Sequence, residues 1–287
     1  MYTGGSYSTR SRVNVKMEEY GSVIFWVKLL KGFVIAKNVK GLVVTNLKLK
    51  KEKTVEHNMI VIGDIHEPFT HRGYLAFCLG LKLQYRPTTV ILIGDLVDNH
   101  GISYHEKDPD GYSPGNEAKI VDKKLKKWYK AFPKAKLCLG NHDLLVERKA
   151  KTHGLPTRAF KNFREIWKIP DTWDVGLSFE VDSVLFTHGT NYSGKYPHVH
   201  AAADNRQSTV IGHCHGVAGV EYSANEKDCI FGMSVGCGID RHSYAMAYGK
   251  GFRRKPILGA GVIHVGTNGT KATFIPMQLG DKNETSR

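Results

Sequence analysis

The chain has 287 residues and a strongly basic composition, with 41 lysines and arginines, 27 acidic residues and a formal net charge of +14. Its hydrophobic content of 41% is ordinary for a globular protein and argues against a low-complexity or repeat architecture. The five cysteines are odd in number and include no Cys-x-x-Cys pair. This pattern argues against a disulfide scaffold and predicts a reduced, cytoplasmic setting.

Residues 1–58 differ in composition from the rest of the chain. Eleven lysines and arginines against four acidic residues give this segment a charge of +7, half of the total. We predict a disordered lead at Met1–Arg12, strands at Val23–Val27 and Leu42–Leu49, and the start of the catalytic domain at Met59. The segment's apolar run is shorter than the roughly 20 residues of a membrane helix, and no cleavage site follows it. An accessory appendage, or translation from an upstream start, is therefore expected, with no contact with a membrane.

Five short polar motifs follow, and each comes directly after an apolar run. The motifs are Gly63–His66, Gly94–Asp98, Gly140–Asp143, Thr187–Gly189 and Gly212–His215. The apolar runs are Ile60–Ile62, Val90–Ile93, Leu137–Leu139, Val184–Phe186 and Val210–Ile211. Short apolar runs that end in a glycine or a polar cluster are typical of buried strands. The motifs are therefore predicted on loops at the carboxyl ends of strands, where open α/β sheets bind ligands.

Between and after the motifs, strands alternate with helices. Helices are predicted at Gly73–Tyr85, which is largely apolar, and at Asn116–Phe132, whose polar face carries six lysines. Phe179–Phe186 is predicted to form a hairpin with an Asp-Ser turn. Later strands are expected at Thr209–Gly212, Gly216–Tyr222, Cys229–Met233, Gly261–Gly266 and Ala272–Met277. This β-rich second half favours a second sheet packed on the first.

The residue types in the motifs suit a pair of metal ions. Two divalent ions roughly 3.5–4 Å apart stabilise the entering and leaving oxygens of a phosphoryl displacement and lower the pKa of a bound water. Aspartate, histidine and asparagine without thiolates favour Mn, Fe or Zn in an open catalytic site over a structural zinc site. In an extended segment, Asp64 and His66 point to one side, as do His213 and His215. Each motif alone is an ordinary polar turn; the set of five in this order favours a dinuclear site.

In their order, the five motifs resemble the signature of the calcineurin-like metallophosphoesterase superfamily over about residues 59–215. The resemblance implies an α/β fold of four layers, α/β/β/α, with two mixed sheets flanked by helices. It places the metallophosphoesterase domain at residues 59–280 and leaves 281–287 as a flexible tail. It also implies two divalent ions, with Mn²⁺ expected and Fe, Zn or Ni as alternatives.

The resemblance also implies a role for each residue of the site. One ion would be held by Asp64, His66, Asp95 and His215. The other would be held by Asp95, Asn141, His188 and His213, so that Asp95 bridges the two. His142 matches the family's catalytic imidazole, which donates a hydrogen bond or a proton toward the leaving group. Asp98 matches the carboxylate that orients this imidazole.

Two departures narrow the type of enzyme. Asn99 and Asp143 stand where serine/threonine protein phosphatases of the superfamily carry arginine and glutamate. The missing arginine would clamp a substrate phosphate, and the Asp143 form resembles the phosphodiesterase and nuclease branches. His100 or His105 is a candidate substitute phosphate contact, although the simpler interpretation of each is an exposed loop histidine.

Basic residues flank the motifs. Eight of them lie between Lys134 and Arg164, and the lysines of the second predicted helix are interpreted first as a solvated face. Gly236–Arg254 interleaves aromatic and basic residues, which is typical either of nucleic-acid contacts or of a solvated loop. Asn191–His200 is predicted to be a surface loop or a cap over the site. A basic field around the site would attract polyanions.

The sequence therefore predicts a metal-dependent phosphoric ester hydrolase. The leading hypothesis is a phosphodiesterase or nuclease for nucleotides or nucleic acid, in which metal-bound hydroxide attacks phosphorus and His142 assists the leaving oxygen. The alternatives are a phosphomonoesterase or protein phosphatase, and a non-catalytic nucleic-acid-binding module on the same scaffold. No obligate protein partner is predicted.

Overall fold

The computed structural model describes residues 56–104, 107–249 and 253–278, and the backbone of three strands before them. The chain divides into two compact units, Met1–Lys53 and Thr54–Arg287. The predicted disordered lead, the predicted flexible tail and His105 lie outside the described residues. The prediction that residues 1–58 are an accessory appendage stays a prediction.

The first unit contains a three-stranded antiparallel sheet. Its strands are β1 (Trp26–Leu30), β2 (Phe33–Asn38) and β3 (Gly41–Thr45), in the order β1-β2-β3. The sequence predicted two strands here and missed β2. The charged residues and the glycine after the first strand were interpreted as a break, whereas β2 follows and pairs with β1 in antiparallel fashion.

The second unit contains two mixed sheets. The six-stranded sheet has the order β14-β13-β4-β5-β6-β7, and its strands are β4 (His57–Ile62), β5 (Thr89–Leu92), β6 (Ala135–Cys138), β7 (Trp173–Gly176), β13 (Gly259–Gly266) and β14 (Gly269–Pro276). The five-stranded sheet has the order β11-β12-β10-β9-β8, and its strands are β8 (Ser178–Val181), β9 (Val184–Thr187), β10 (Ser208–Ile211), β11 (Ala218–Ala224) and β12 (Cys229–Val235). Strands β4 to β7 are mutually parallel, as are β9, β10 and β12.

Alternating side chains on β4 explain the layers. Met59 and Val61 belong to the core between the two sheets, whereas Ile60 and Ile62 face a second core beneath the helices. Because successive side chains of a strand point to opposite faces, an entirely apolar strand requires a partner layer on each side. The helices complete these layers: α1 (Tyr74–Tyr85) and α2 (Pro114–Ala131) cover the first sheet, and α5 (Pro197–Asn205) packs on β10 and β12 of the second. The predicted α/β/β/α fold is confirmed.

Local interactions determine where helix α2 begins and which of its faces is buried. The hydroxyl of Ser113 accepts the N–H of Asn116, and Pro114 occupies the first turn, where a missing N–H has no cost. Val121, Leu125 and Trp128 are buried in the core, while the lysines at 119, 123, 126, 127 and 130 are exposed.

The predicted hairpin is also confirmed: β8 and β9 are joined by Asp182 and Ser183, both at positive φ, as a type I′ hairpin turn requires.

Three helices were not predicted: α3 (Leu145–Thr152), α4 (Phe163–Trp167) and α5. The expectation of a loop at Asn191–His200 is wrong for its second half, where α5 begins at Pro197 and buries His198. An added Cβ at Gly232 of β12 would collide with the carbonyl oxygen of His198, so α5 lies directly on that strand. Within the described residues, no helix has the length and apolar character needed to cross a bilayer.

Candidate metal centre

The five motifs converge at one edge of the two sheets. Each follows a parallel strand at its carboxyl end: Asp64 and His66 follow β4, Asp95 and Asp98 follow β5, Asn141 and His142 follow β6, His188 follows β9, and His213 and His215 follow β10. The loops are tied together through the backbone, because the carbonyl of Asp95 accepts the N–H groups of Ile65 and His66 at 3.1 and 2.8 Å. The arrangement that the sequence predicted from strand ends is therefore present in the structure.

The paired ligands of the first and fifth motifs converge for a different reason than the sequence predicted. An extended strand was expected to place Asp64 and His66, and likewise His213 and His215, on one side. Strand β4 instead ends at Ile62, and His66 and His213 have φ angles of 52° and 62°. Left-handed backbone at a non-glycine residue is costly and concentrates at functional sites. The loop conformation, rather than strand periodicity, aims these side chains.

One cluster of ligand atoms comes from Asp64, His66, Asp95 and His215, all within 4.8 Å of one another. Nε2 of His215 lies 3.0 Å from Oδ2 of Asp64 and 3.1 Å from Nε2 of His66. Nε2 of His66 is also 3.6 Å from Oδ2 of Asp95. These are the four residues proposed from the resemblance for the first ion.

A second cluster shares Asp95 with the first. Asp95, His188 and His213 place ligand atoms within 4.8 Å of one another. Nε2 of His188 lies 3.1 Å from Oδ2 of Asp95 and 3.0 Å from Oδ1 of Asn141. The two clusters therefore meet at one carboxylate, which is the arrangement that a bridging ligand requires.

Hydrogen bonds on the outer nitrogens orient two of the imidazoles. Nδ1 of His188 contacts the carbonyl oxygen of Ile93 at 3.1 Å, and a carbonyl only accepts, so Nδ1 carries the proton. By the same argument, Nδ1 of His66 donates to Oδ1 of Asp98 at 2.7 Å. In its neutral form each ring turns the lone pair of Nε2 toward the cluster, as metal-ligating histidines do. Oδ1 of Asp64 is buried there without a hydrogen-bond partner. The donor set fits two divalent cations.

Glycines make room for these ligands. An added Cβ at Gly212 would collide with Oδ1 of Asp64, and one at Gly140 would collide with Oδ1 of Asp95. Gly94, with φ of 116°, lies against the ring of His188. The glycines of the motifs are thus explained by the closeness of backbone to ligand.

We expect Gly212→Ala to weaken Mn²⁺ binding by about tenfold or more, because the methyl group displaces the Asp64 carboxylate. Titration calorimetry with Mn²⁺ measures this loss. Gly80→Ala is the matched control, since Gly80 lies in α1 with open space around its Cα. That variant should gain roughly 0.5–1 kcal/mol of stability and keep wild-type affinity. Equal affinity in both variants would contradict the role given to Gly212.

A family model decides the identity of the chain. The model for calcineurin-like phosphoesterases matches residues 57–228, a range that contains all five motifs. The chain belongs to the calcineurin-like phosphoesterase family. Members of this family are dinuclear metal-dependent proteins, and the two clusters provide the donors that such a centre needs.

Several solved structures are similar to this phosphoesterase. A metallophosphoesterase from Sphaerobacter thermophilus is 13% identical with a TM-score of 0.39, over 77% of this chain and 88% of that one. The phosphoesterase Yfce from E. coli is 14% identical with a TM-score of 0.34, over 72% and 91%. Vacuolar Protein Sorting 29 from Cryptosporidium parvum is 8% identical with a TM-score of 0.39, over 78% and 99%. A comparison with curated protein sequences gives no significant match.

The imidazole of His142 lies beside the two clusters of ligand atoms. Hydrogen bonds of the His142 backbone and of its Nδ1 hold it in place. The backbone N–H of His142 donates to Oδ1 of Asp95 at 2.8 Å, and its backbone carbonyl accepts from Nδ2 of Asn99 at 2.9 Å. Nδ1 of His142 donates to the backbone carbonyl of Asp98 at 2.6 Å. The Asp98 carboxylate was expected to orient His142, but it binds His66 and lies 3.7 Å from Nδ1 of His142. Asp98 therefore orients the His142 imidazole through its backbone carbonyl oxygen.

Asn99 and Asp143, the two departures from the protein phosphatase pattern, both support loops. Asn99 sits at φ of 55° and secures the backbone of His142. The Asp143 carboxylate accepts the N–H of Gly140 at 2.9 Å and that of Val97 at 3.2 Å, which joins the second and third motifs. Burial, with the nearby charge of Asp95, raises the pKa of Asp143 to about 7. Neither residue replaces the missing phosphate-binding arginine.

The prediction that His100 is an exposed loop residue is wrong, because this side chain is only 4% exposed and packs against Phe69. The alternative role as a phosphate contact stays a prediction. The carboxylate of Glu117, from α2, accepts the N–H groups of His100 and Gly101 at 2.8 Å each. The sequence missed this buried acid because it lies in the lysine-rich part of α2.

Neighbouring charges shift the pKa values of Asp95 and His188 in opposite directions. Burial alone would raise the pKa of Asp95, but imidazoles led by His188 lower it well below its usual range. Burial would lower the pKa of His188, and the carboxylates of Asp95 and Asp64 raise it to about 10. A metal ion would compete with a proton for Nε2 of His188, so its binding would release a proton.

Two cavities open beside the clusters and share three lining residues, Asn141, His142 and His213. The first has a volume of about 260 Å³ and is also lined by Gly194, Met246, Arg254 and Lys255. The second has a volume of about 280 Å³ and is also lined by Ser103, Tyr104, Leu145 and Arg148. The sequence identified basic stretches that include Arg148 and Arg254 but did not single out these two residues, because only the fold brings them to the cavities.

Proposed function

We propose that this phosphoesterase hydrolyses phosphodiester bonds in nucleotides or nucleic acid. The observation that carries the proposal is the pair of cavities on the shared wall of Asn141, His142 and His213. A diester has an organic group on each of two ester oxygens, and each cavity has room for one of them. A monoester would need only one. The missing arginine at Asn99 supports the same choice, because a terminal phosphate dianion gains most from such a clamp.

Metal ions supply the charge that the reaction needs. When bound by Asp64, His66, Asp95, Asn141, His188, His213 and His215, two divalent cations stabilise charge on the phosphate oxygens and lower the pKa of a water molecule. Mn²⁺ is the ion we propose, because the donors are imidazoles, carboxylates and one amide, with no thiolate. Cys214 lies between two ligands in sequence, yet its Sγ contacts the carbonyl of Tyr192 at 3.4 Å.

His142 handles the leaving group in this proposal. Its Nδ1 is committed to the carbonyl of Asp98, which leaves Nε2 to donate to the ester oxygen. The backbone of His142 is secured by Asp95 and Asn99, so the ring keeps its position relative to the ligands. Positioning of this kind contributes to the rate because the proton donor needs no reorganisation at the moment of bond cleavage.

A hydrolysis assay with two chromogenic esters tests the proposal. After chelation and dialysis the protein should be inactive, and Mn²⁺ should restore activity. With Mn²⁺, kcat/KM for bis-p-nitrophenyl phosphate should exceed that for p-nitrophenyl phosphate by about tenfold or more. Preference for the monoester would identify a phosphomonoesterase instead. No turnover of either ester by metal-replete protein would favour a non-catalytic binding module.

We also propose a reduced cytoplasmic setting for the protein. All five cysteines are free, and Cys78, Cys138 and Cys237 are buried. Burial raises the pKa of the Cys138 thiol to about 12, so this thiol stays protonated and unreactive. The three buried cysteines thus serve as small apolar residues.

A further inference from the structure

Two arginines, Arg148 and Arg254, each line one of the two cavities beside the metal centre. We propose that they bind the phosphates on either side of the scissile phosphate, so that the substrate is a polynucleotide strand that crosses the centre. This inference rests on the proposed phosphodiesterase function and names its substrate class. Neither arginine belongs to the five motifs.

Arg254 is held in the first cavity by its backbone and by one hydrogen bond. Its Nη1 donates to the carbonyl of Gly194 at 3.0 Å. Its Cβ lies close to the backbone at Gly216, where an added Cβ would be 3.1 Å away. A guanidinium has five N–H donors, and this is the one hydrogen bond that Arg254 makes within the described residues. Within the described residues, no carboxylate is paired with Arg254. Lys255 lines the same cavity and adds a second positive charge.

Arg148 lies in the second cavity, on α3. Its guanidinium carbon is 5.2 Å from the ring centroid of Tyr104, and Nζ of the neighbouring Lys149 is 3.7 Å from the same centroid. The hydroxyl of Tyr104 contacts Oγ1 of Thr152 at 3.4 Å, which ties the ring to α3. Cation–π contacts of this kind fix the direction of a basic side chain without neutralising it. The ring therefore helps to position Arg148 in the cavity that Asn141 and His142 also line.

The spacing of the charges favours a polynucleotide over a linear polyphosphate. In a polynucleotide a sugar separates each phosphate from the next, so the neighbours of the scissile phosphate lie beyond the metal ligands, one in each direction. In a dinucleoside polyphosphate the neighbouring phosphorus atoms are joined by a single oxygen and would remain among the metal ligands. One arginine in each cavity fits the first pattern. Arginine also suits phosphate because its planar group donates two parallel hydrogen bonds.

Substrate length tests the proposal. With Mn²⁺, kcat/KM is measured for single-stranded oligonucleotides of two, three, four and eight nucleotides, in DNA and RNA series. We expect kcat/KM to rise about tenfold from the dinucleotide to the tetranucleotide, which adds a phosphate on each side of the central linkage. The two series show which sugar is accepted. Equal values for the dinucleotide and tetranucleotide in both series, or a dinucleoside tetraphosphate hydrolysed as well as the tetranucleotide, would overturn the proposal.

Variants assign the length effect to the arginines. In Arg148→Ala and Arg254→Gln the ratio between tetranucleotide and dinucleotide should fall several-fold, and Arg254→Lys should keep most of it. Glutamine retains an N–H donor for the carbonyl of Gly194. Arg254→Gln therefore tests the loss of the positive charge without removing this donor. Arg158→Ala removes an exposed arginine that lines neither cavity and should keep the wild-type ratio. An unchanged ratio in both cleft variants would overturn the proposal.

Binding gives a readout that is independent of turnover. Fluorescence anisotropy with an eight-nucleotide strand and Ca²⁺ in place of Mn²⁺ is recorded over a salt series. Each lost phosphate contact should reduce the slope of log K against log salt by about 0.7. A purely structural role for the arginines would leave this slope unchanged, which would overturn the proposal. If bis-p-nitrophenyl phosphate is not hydrolysed and the slope still changes, the proposed function fails while the phosphate contacts stand.

Discussion

Replacement of His142 by alanine is expected to lower kcat for a phosphodiester by about 10²- to 10⁴-fold and to leave the metal content unchanged. His142 is absent from both clusters that meet at Asp95. It does lie near His66 and Asp98, but the Asp98 carboxylate already accepts the Nδ1–H of His66. The decrease in kcat should therefore come from slower departure of the ester oxygen. Activity and elemental analysis on one preparation of the variant measure both quantities.

The control for this prediction is His200→Ala, which removes an exposed histidine of α5 and should keep wild-type kcat. A diester with a better leaving group sharpens the test. Because His142 is proposed to assist the leaving oxygen, the defect should shrink when that oxygen departs as a weakly basic phenolate. Loss of metal from His142→Ala, or an equal defect for good and poor leaving groups, would contradict the role given to this residue.

Sequence reasoning located the metal centre because each motif is local. A short apolar run predicts a strand, and the polar residues after it must lie at the carboxyl end of that strand. Five such runs therefore predict that the polar residues lie at the same edge of the sheets. The resemblance to the calcineurin-like superfamily then assigned Asp64, Asp95 and His188 as ligands. It also implied the fold, and the structure adds a physical reason: β4 and β5 are apolar on both faces and need a layer on each side.

Contacts between residues far apart in sequence were less predictable. The Asp98 carboxylate has His66 and His142 within reach, and only the loop geometry shows that it binds the first. His100 follows a catalytic motif and was interpreted as an exposed loop residue, yet Glu117 of α2 accepts its backbone N–H and helps to hold it in a buried position. Nothing near either residue in the sequence contains that information.

The cleft arginines show the same limit. Arg148 follows the third motif by five residues, so a place near the site was plausible, but its contact with Tyr104 depends on a loop more than forty residues earlier. Arg254 comes after the last motif and reaches the site because Gly216 lets the backbone approach. Binding residues on loops depend on how a rigid scaffold positions those loops. Composition gives their sign of charge, and only the fold gives their place.

Asp95→Asn should have the largest effect of any single substitution, because it removes the charge that both clusters share. Oδ2 of Asp95 faces Nε2 of His188 at 3.1 Å and Nε2 of His66 at 3.6 Å. Asparagine has nearly the same shape but no charge to offer to two cations. We expect loss of at least one ion per chain and a decrease in kcat of about 10³-fold or more. Elemental analysis and the bis-p-nitrophenyl phosphate assay measure these losses.

Thermal unfolding separates loss of metal binding from misfolding of Asp95→Asn. Ligands that bind only the folded state stabilise it in proportion to the logarithm of their concentration, so Mn²⁺ should raise the Tm of the wild-type protein. In the variant this Mn²⁺-dependent rise should be reduced or lost. The Tm of each protein without metal is the reference for its own rise, and asparagine keeps an oxygen for the backbone N–H of His142. Asp204→Asn, at an exposed position of α5, should behave as the wild type does. A variant that bound two Mn²⁺ ions with unchanged affinity would show that Asp95 does not bridge them.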